Sequence, residues 1–107
     1  MERSWRAHSP VTATSTTIAD GIAVRVPVPA AVELMGKTVD EVLLVSDEAM
    51  LAAMRMLFAD SGLMVEPAAV AGLAAIAEHR EELADRRVAT ILTGSNLTER
   101  QIRDWLL

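Results

Sequence analysis

Thr93-Gly94-Ser95-Asn96 follows five residues of strand-like character, Val88-Ala89-Thr90-Ile91-Leu92, and runs into a segment that opens at Leu97-Thr98-Glu99. A strand, a hydroxyl-glycine loop and a capped helix in that order hold a hydroxyl and several backbone N–H groups at one end of a sheet. Open α/β folds bind ligands there. A hydroxyl in that place can hydrogen-bond a heteroaromatic nitrogen without bringing a charge. The same residue types also build strand-to-helix turns for conformational reasons alone. Glu66 stands between the apolar run Leu63-Met64-Val65 and Pro67. A carboxylate at such a boundary suits proton transfer or pairing with a cation. Its place beside a helix N-terminus also lets it act as a partner of the helix dipole and nothing more.

Other chemistry is thin. Lys37 is the single lysine, and it follows Gly36 in a polar turn where a solvated surface amine is expected. His8 and His79 have no partners at metal-ligand spacing. Neither a G-x-x-x-x-G-K-[ST] nor a G-x-G-x-x-G loop is present, and no serine sits in a nucleophile elbow.

The elements that must position these residues can be read in order. Residues 1–15 read as an irregular lead-in, and Asp20-Gly21 is a turn signal. Residues 22–28 are β-rich but interrupted by Pro27, so a strand there is short or at an edge. Pro29 opens a short helix that Gly36 closes. Val42-Leu43-Leu44-Val45 reads as a buried strand. Ser46 is the expected N-cap of the next helix, with Asp47 and Glu48 in its first turn and Gly62 as its stop. Pro67 starts another helix that runs to about Arg80, small on nearly every face from Ala68 to Ala75 and therefore packed on several sides. Thr98 and Gln101 have capping-box spacing. Strands alternating with helices indicate an α/β fold with a partial, mostly parallel sheet. Gly72 inside the small-residue helix suggests close approach by another element.

Composition narrows the function classes. One domain of 107 residues is long enough for a core, and residues 1–107 read as a single segment. Apolar residues make up 51% against 23% charged, which suits a globular chain. With one Phe and two Trp, the core must be Ala, Leu, Val and Met. A net charge of −5 with dispersed arginines argues against a nucleic-acid partner. No apolar stretch is long enough for a membrane span, and no signal-type leader opens the chain. The absence of cysteine removes disulfides and thiolate sites and fits a cytoplasmic location.

Four segments in order carry a resemblance: Thr17-Ile18-Ala19-Asp20-Gly21-Ile22-Ala23-Val24, Val42-Leu43-Leu44-Val45-Ser46, Val65-Glu66-Pro67 with its Ala/Gly-rich helix, and Thr93-Gly94-Ser95-Asn96. Together they resemble the C-terminal third of threonine dehydratases. More broadly, they resemble the fold type II pyridoxal-phosphate enzymes, which include serine dehydratases and serine racemases. The resemblance implies that the chain is part of that family's large domain and that Met1 corresponds to a position inside a longer chain. It implies that Thr93 hydrogen-bonds the cofactor's pyridine nitrogen, with Gly94 and Asn96 in the following loop and Glu66 close to the cofactor. Ser95 departs from the family's usual second glycine. Asp20 and Gly21 match a loop that borders the active site.

The family's Schiff-base lysine, its glycine-rich phosphate loop and the divalent or potassium site of some relatives lie earlier than the part resembled. Lys37 does not align with that lysine. The resemblance therefore implies a portion of an ammonia-lyase acting on serine or threonine by β-elimination and deamination. Pyridoxal phosphate would be bound by the complete parent and not by this chain alone. The expected partner is the missing N-terminal part, or a second copy through self-association. An alternative is a non-catalytic oligomerisation or interaction module derived from the same family. A small-molecule regulatory domain has less support, because no feature specifies an effector site.

Overall fold

The computed structural model describes residues 1–107, which form two units. The first comprises Met1–Thr17 and Ile22–Leu44, and the second Ile18–Gly21 and Val45–Leu107.

In the first unit, helix α1 spans Glu2–Ala7 where an irregular lead-in was expected from the sequence. An Arg6–Glu2 ion pair one turn apart supports it. The Ser4 hydroxyl, fully buried, accepts the Val11 N–H at 2.9 Å and so ties the chain after the helix back onto it. Helix α2, Pro29–Thr38, begins at its proline as the sequence implies but runs through Gly36. A helical glycine costs only about 1 kcal/mol. The last turn is supported by the Thr38 hydroxyl donating to the Leu34 carbonyl at 2.8 Å.

In the second unit, α3 (Asp47–Ser61) has the caps its sequence announces. The Ser46 hydroxyl accepts the Ala49 N–H at 3.1 Å, and Gly62 at φ 72° returns its N–H to the Phe58 carbonyl at 2.8 Å. The small-residue helix is built in two pieces, a 3-10 turn Pro67–Val70 and α4, Ala71–Glu78. Helix α5, Glu99–Trp105, opens on the full Thr98–Gln101 capping box. Met50, Ala53 and Met54 of α3 pack with Val65, Ala69, Val70, Ala74 and Ala19 into one core, flanked by Leu97, Trp105 and Leu106.

The partial parallel sheet expected from the sequence is absent. No residue is in a strand, and the fold is helical with extended connections. Residues 42–45, 63–65 and 88–92 carry β-type side chains yet form no ladder. A helix closes its hydrogen bonds internally, whereas a strand exists only through a neighbour. The one backbone bond that ties residues 63–66 to residues 88–94 is Glu66 N–H to the Gly94 carbonyl, at 3.2 Å.

Gly72 does mark a close approach. A Cβ built there would lie 2.0 Å from the Thr90 Oγ1 and 2.9 Å from its Cβ, so the Thr90 side chain occupies the groove that the glycine leaves on α4.

Candidate functional site

Three segments of the second unit converge on the Glu66 carboxylate. The first is the stretch Ile18–Gly21, fixed by the Ile18 N–H donating to Asp47 Oδ2 at 3.2 Å and by the complete burial of Ala19. At Gly21 a Cβ would stand 3.2 Å from the Ala68 Cβ and 3.6 Å from Glu66 Oε1. The second is Glu66 itself, the extended residue (φ −75°, ψ 160°) that leads into the Pro67 turn between buried Val65 and buried Pro67. The third is the hydroxyl-glycine loop. Asn96 donates its backbone N–H to Glu66 Oε2 at 3.0 Å, and a Cβ on Gly94 would lie 3.1 Å from Glu66 Oε1.

The far end of that loop is fixed independently. Leu97 N–H donates to the Ser95 carbonyl at 2.9 Å, and Thr98 then caps α5. Helix α5 is held to α3 by the Arg55 guanidinium donating to the Trp105 carbonyl at 2.7 Å. Beside the junction, an open cavity of about 320 Å³ is walled by Leu63, Met64, Val65 and Leu92 and by Thr93, Gly94 and Ser95 of the loop. Thr93 is exposed and its hydroxyl makes no hydrogen bond to another protein group.

The chain matches the model of the family described as pyridoxal-phosphate dependent enzyme over residues 1–94. It belongs to that family. The match takes in Thr93 and Gly94. The chain is 38% identical over 98 residues to phenylserine dehydratase of Ralstonia pickettii, covering 90% of this chain and 30% of the relative. It is 33% identical over 81 residues to L-threonine ammonia-lyase of Thermotoga maritima, covering 76% of this chain and 20% of the relative. Among solved structures, the threonine deaminase of T.th. superposes with a TM-score of 0.83 at 32% identity, covering 91% of this chain and 35% of that one. The chain thus spans about a third or less of the relatives it matches. Its kinship is with the fold type II branch of the pyridoxal-phosphate enzymes.

The residues present fit one edge of that cofactor. A neutral hydroxyl with no protein partner, at the lip of an apolar-walled cavity, suits the nitrogen edge of a flat heteroaromatic ring. The second unit contains no lysine and no glycine-rich run of N–H groups to hold a phosphate. Lys37 lies in the first unit, exposed on α2 and paired with Glu33 at 2.6 Å, as a surface amine would be. A larger hollow of about 470 Å³ lies near His8 and Lys37, but none of the site residues expected from the sequence lines it.

Of those residues, Glu66, Gly94, Asn96 and Gly21 meet at the carboxylate, and Thr93 lies one residue away, in the cavity wall. Asp20 is exposed in the 3-10 turn Asp20–Ile22, preceding Gly21. Sequence reasoning missed the cavity walls Leu63 and Met64. Their signal was available: two apolar residues immediately before a boundary carboxylate.

Proposed function

We propose that this chain supplies the pyridine-nitrogen side of the cofactor site in a pyridoxal-phosphate-dependent ammonia-lyase of the threonine or serine dehydratase type. In such an enzyme β-elimination and deamination act on a β-hydroxy amino acid. The chain is a C-terminal portion of the parent and is not catalytic until joined to the part that carries the lysine and the phosphate loop. A cytoplasmic location goes with that assignment.

One observation carries the reading. An unpartnered hydroxyl stands beside a loop locked by Glu66, in a chain related to a phenylserine dehydratase and to a threonine ammonia-lyase. Pyridoxal phosphate, when bound, supplies the electron sink for bond breaking at the substrate's α-carbon. The chain's own residues orient it. The Thr93 hydroxyl would donate to the ring nitrogen and leave it uncharged, which would moderate the sink and suit elimination. Leu63, Met64 and Leu92 would give the ring's edge an apolar wall. Gly94 and Asn96 shape the loop that presents the hydroxyl, with Glu66 beneath it and Asp20 and Gly21 at the border.

Thr93→Val tests this in the complete protein. The variant keeps the volume and removes the hydroxyl, leaving a buried ring nitrogen without its donor, a loss of about 1–3 kcal/mol. Cofactor affinity in a titration, or ammonia release from serine and threonine, then falls about 10-fold or more. Wild-type values for both would falsify the assignment. Lys37→Ala leaves both unchanged.

The exposed Leu44 and Ile91, at 73% and 80%, favour a second reading, in which the chain is a non-catalytic association module of the same family. The two readings separate in one experiment. A module of this kind self-associates in sedimentation and gains no ammonia-releasing activity when the remainder of the parent is supplied.

A further inference from the structure

We propose that Glu66 is a positioning residue whose carboxylate acts as a splint for residues 93–96, and that Gly94 is a glycine because a side chain there would press on it. The main chain of Glu66 holds one end of the loop, through N–H to the Gly94 carbonyl at 3.2 Å. Its side chain holds the other, through Oε2 to the Asn96 N–H at 3.0 Å. Thr93 precedes this clamped pair directly, so the placement of its hydroxyl is inherited from Glu66.

The remaining oxygen, Oε1, faces both glycines. A Cβ at Gly94 would stand 3.1 Å from it and 3.3 Å from the carboxylate carbon. A Cβ at Gly21 would be in ordinary contact with Oε1 at 3.6 Å and would crowd the Ala68 Cβ instead, at 3.2 Å. Gly94 does not adopt a positive φ, so conformational freedom does not explain it. Room for the carboxylate does. A charged acceptor on a backbone N–H is one of the stronger hydrogen bonds available to a loop. The loop geometry stands by itself, whereas the link from the splint to a cofactor rests on the reading of Thr93 given above.

The first test uses the 107-residue chain without cofactor, by amide hydrogen exchange in NMR. Glu66→Ala removes the acceptor, and the Asn96 amide exchanges about 10-fold faster or more. Glu66→Gln keeps a carbonyl oxygen at the same reach and restores most of the protection. Gly94→Ala leaves Glu66 in place but crowds Oε1, and it also speeds Asn96. Core amides at Met54 and Val70 report whether the fold survives; if Glu66→Ala unfolds the chain, Glu66→Gln and Gly94→Ala decide. Unchanged Asn96 exchange in a folded Glu66→Ala chain overturns the splint, as does a glutamine variant that exchanges as fast as the alanine one.

The second test is a double-mutant cycle on cofactor affinity in the complete protein. If Glu66 acts through Thr93, Glu66→Ala weakens binding in the wild-type background and adds little once Thr93 is valine. Fully additive losses overturn the positioning role. A Thr93→Val variant with wild-type affinity sinks the functional reading and leaves the exchange result intact.

Discussion

Helices α3 and α4 and the extended segments 42–45 and 88–92 are all rich in apolar side chains, yet the extended segments leave most of theirs exposed. Met54 of α3 and Ala74 of α4 have no exposed surface, whereas Leu44 is 73% and Ile91 80% exposed. The contrast follows from hydrogen bonding. A helix satisfies its own backbone and can then offer an apolar face to any neighbour. An extended segment needs a second one alongside before its side chains have a surface to share. The second unit therefore has a core built mainly on its helices, and of the β-type residues only Val65 enters it, with Val45 packed against it.

The sharpest way to break that comparison is to attack the core itself. Met54 is fully buried between α3 and the residues of the Pro67 turn and α4, so Met54→Ala removes three heavy atoms from a packed site. A loss of about 2–5 kcal/mol is expected in chemical denaturation. A loss below about 1 kcal/mol would mean that the helical core does not hold the unit together.

Gly72→Leu comes next. Its Cβ alone would lie 2.0 Å from the Thr90 Oγ1, so the residues around Thr90 must move away from α4. Overpacking of this kind costs about 1–3 kcal/mol. Thr90→Gly should recover part of the loss in the double variant, because the clash is with that side chain. If thermal unfolding of Gly72→Leu matches wild type, residue 90 does not rest on the helix.

A smaller effect is expected at Ser46. Its hydroxyl caps α3 through the Ala49 N–H and donates to Glu78 Oε1 at 2.6 Å, while its N–H reaches the same carboxylate at 3.3 Å. Ser46→Ala removes both side-chain bonds at an exposed site, a loss of about 1 kcal/mol. Glu78→Gln retains an acceptor and should lose less. Equal losses would show that the charge matters and the cap does not.

What was legible in the sequence divides along the same line. Ser46, Gly62 and the Thr98–Gln101 pair were readable because a cap or a stop is decided within one turn of chain. Gly36 misled, since one glycine is too small a penalty to end a helix whose last turn is otherwise supported. The β pattern of residues 42–45 and 88–92 was read as strand because pattern records what a side chain suits and not whether a partner is present. At the site, the hydroxyl-glycine loop and the boundary carboxylate were each visible. Nothing in the spacing of Glu66 and Asn96, 30 residues apart, announced that one would bond the other. Three-dimensional proximity joined the two, and it supplied the reason for the glycine at residue 94.

The smallest expected effect on stability is also the one that bears most on the exposed side of the comparison. Ile91 is 80% exposed and contributes little to the core, so Ile91→Asp should leave thermal unfolding within about 0.5 kcal/mol of wild type. Its consequence lies elsewhere. Val88, Ile91 and Leu92 place three apolar side chains on the surface within five residues, and patches of this kind drive association. If the chain self-associates through them, a charge at residue 91 shifts sedimentation toward the monomer and lowers hydrophobic-dye binding while the melting curve stays in place. Ile91→Val, which keeps the apolar character, should sediment like wild type. A drop in stability approaching that of Met54→Ala would mean that residue 91 is part of the folded core after all, and the division between a self-sufficient helical interior and unpartnered extended segments would fail.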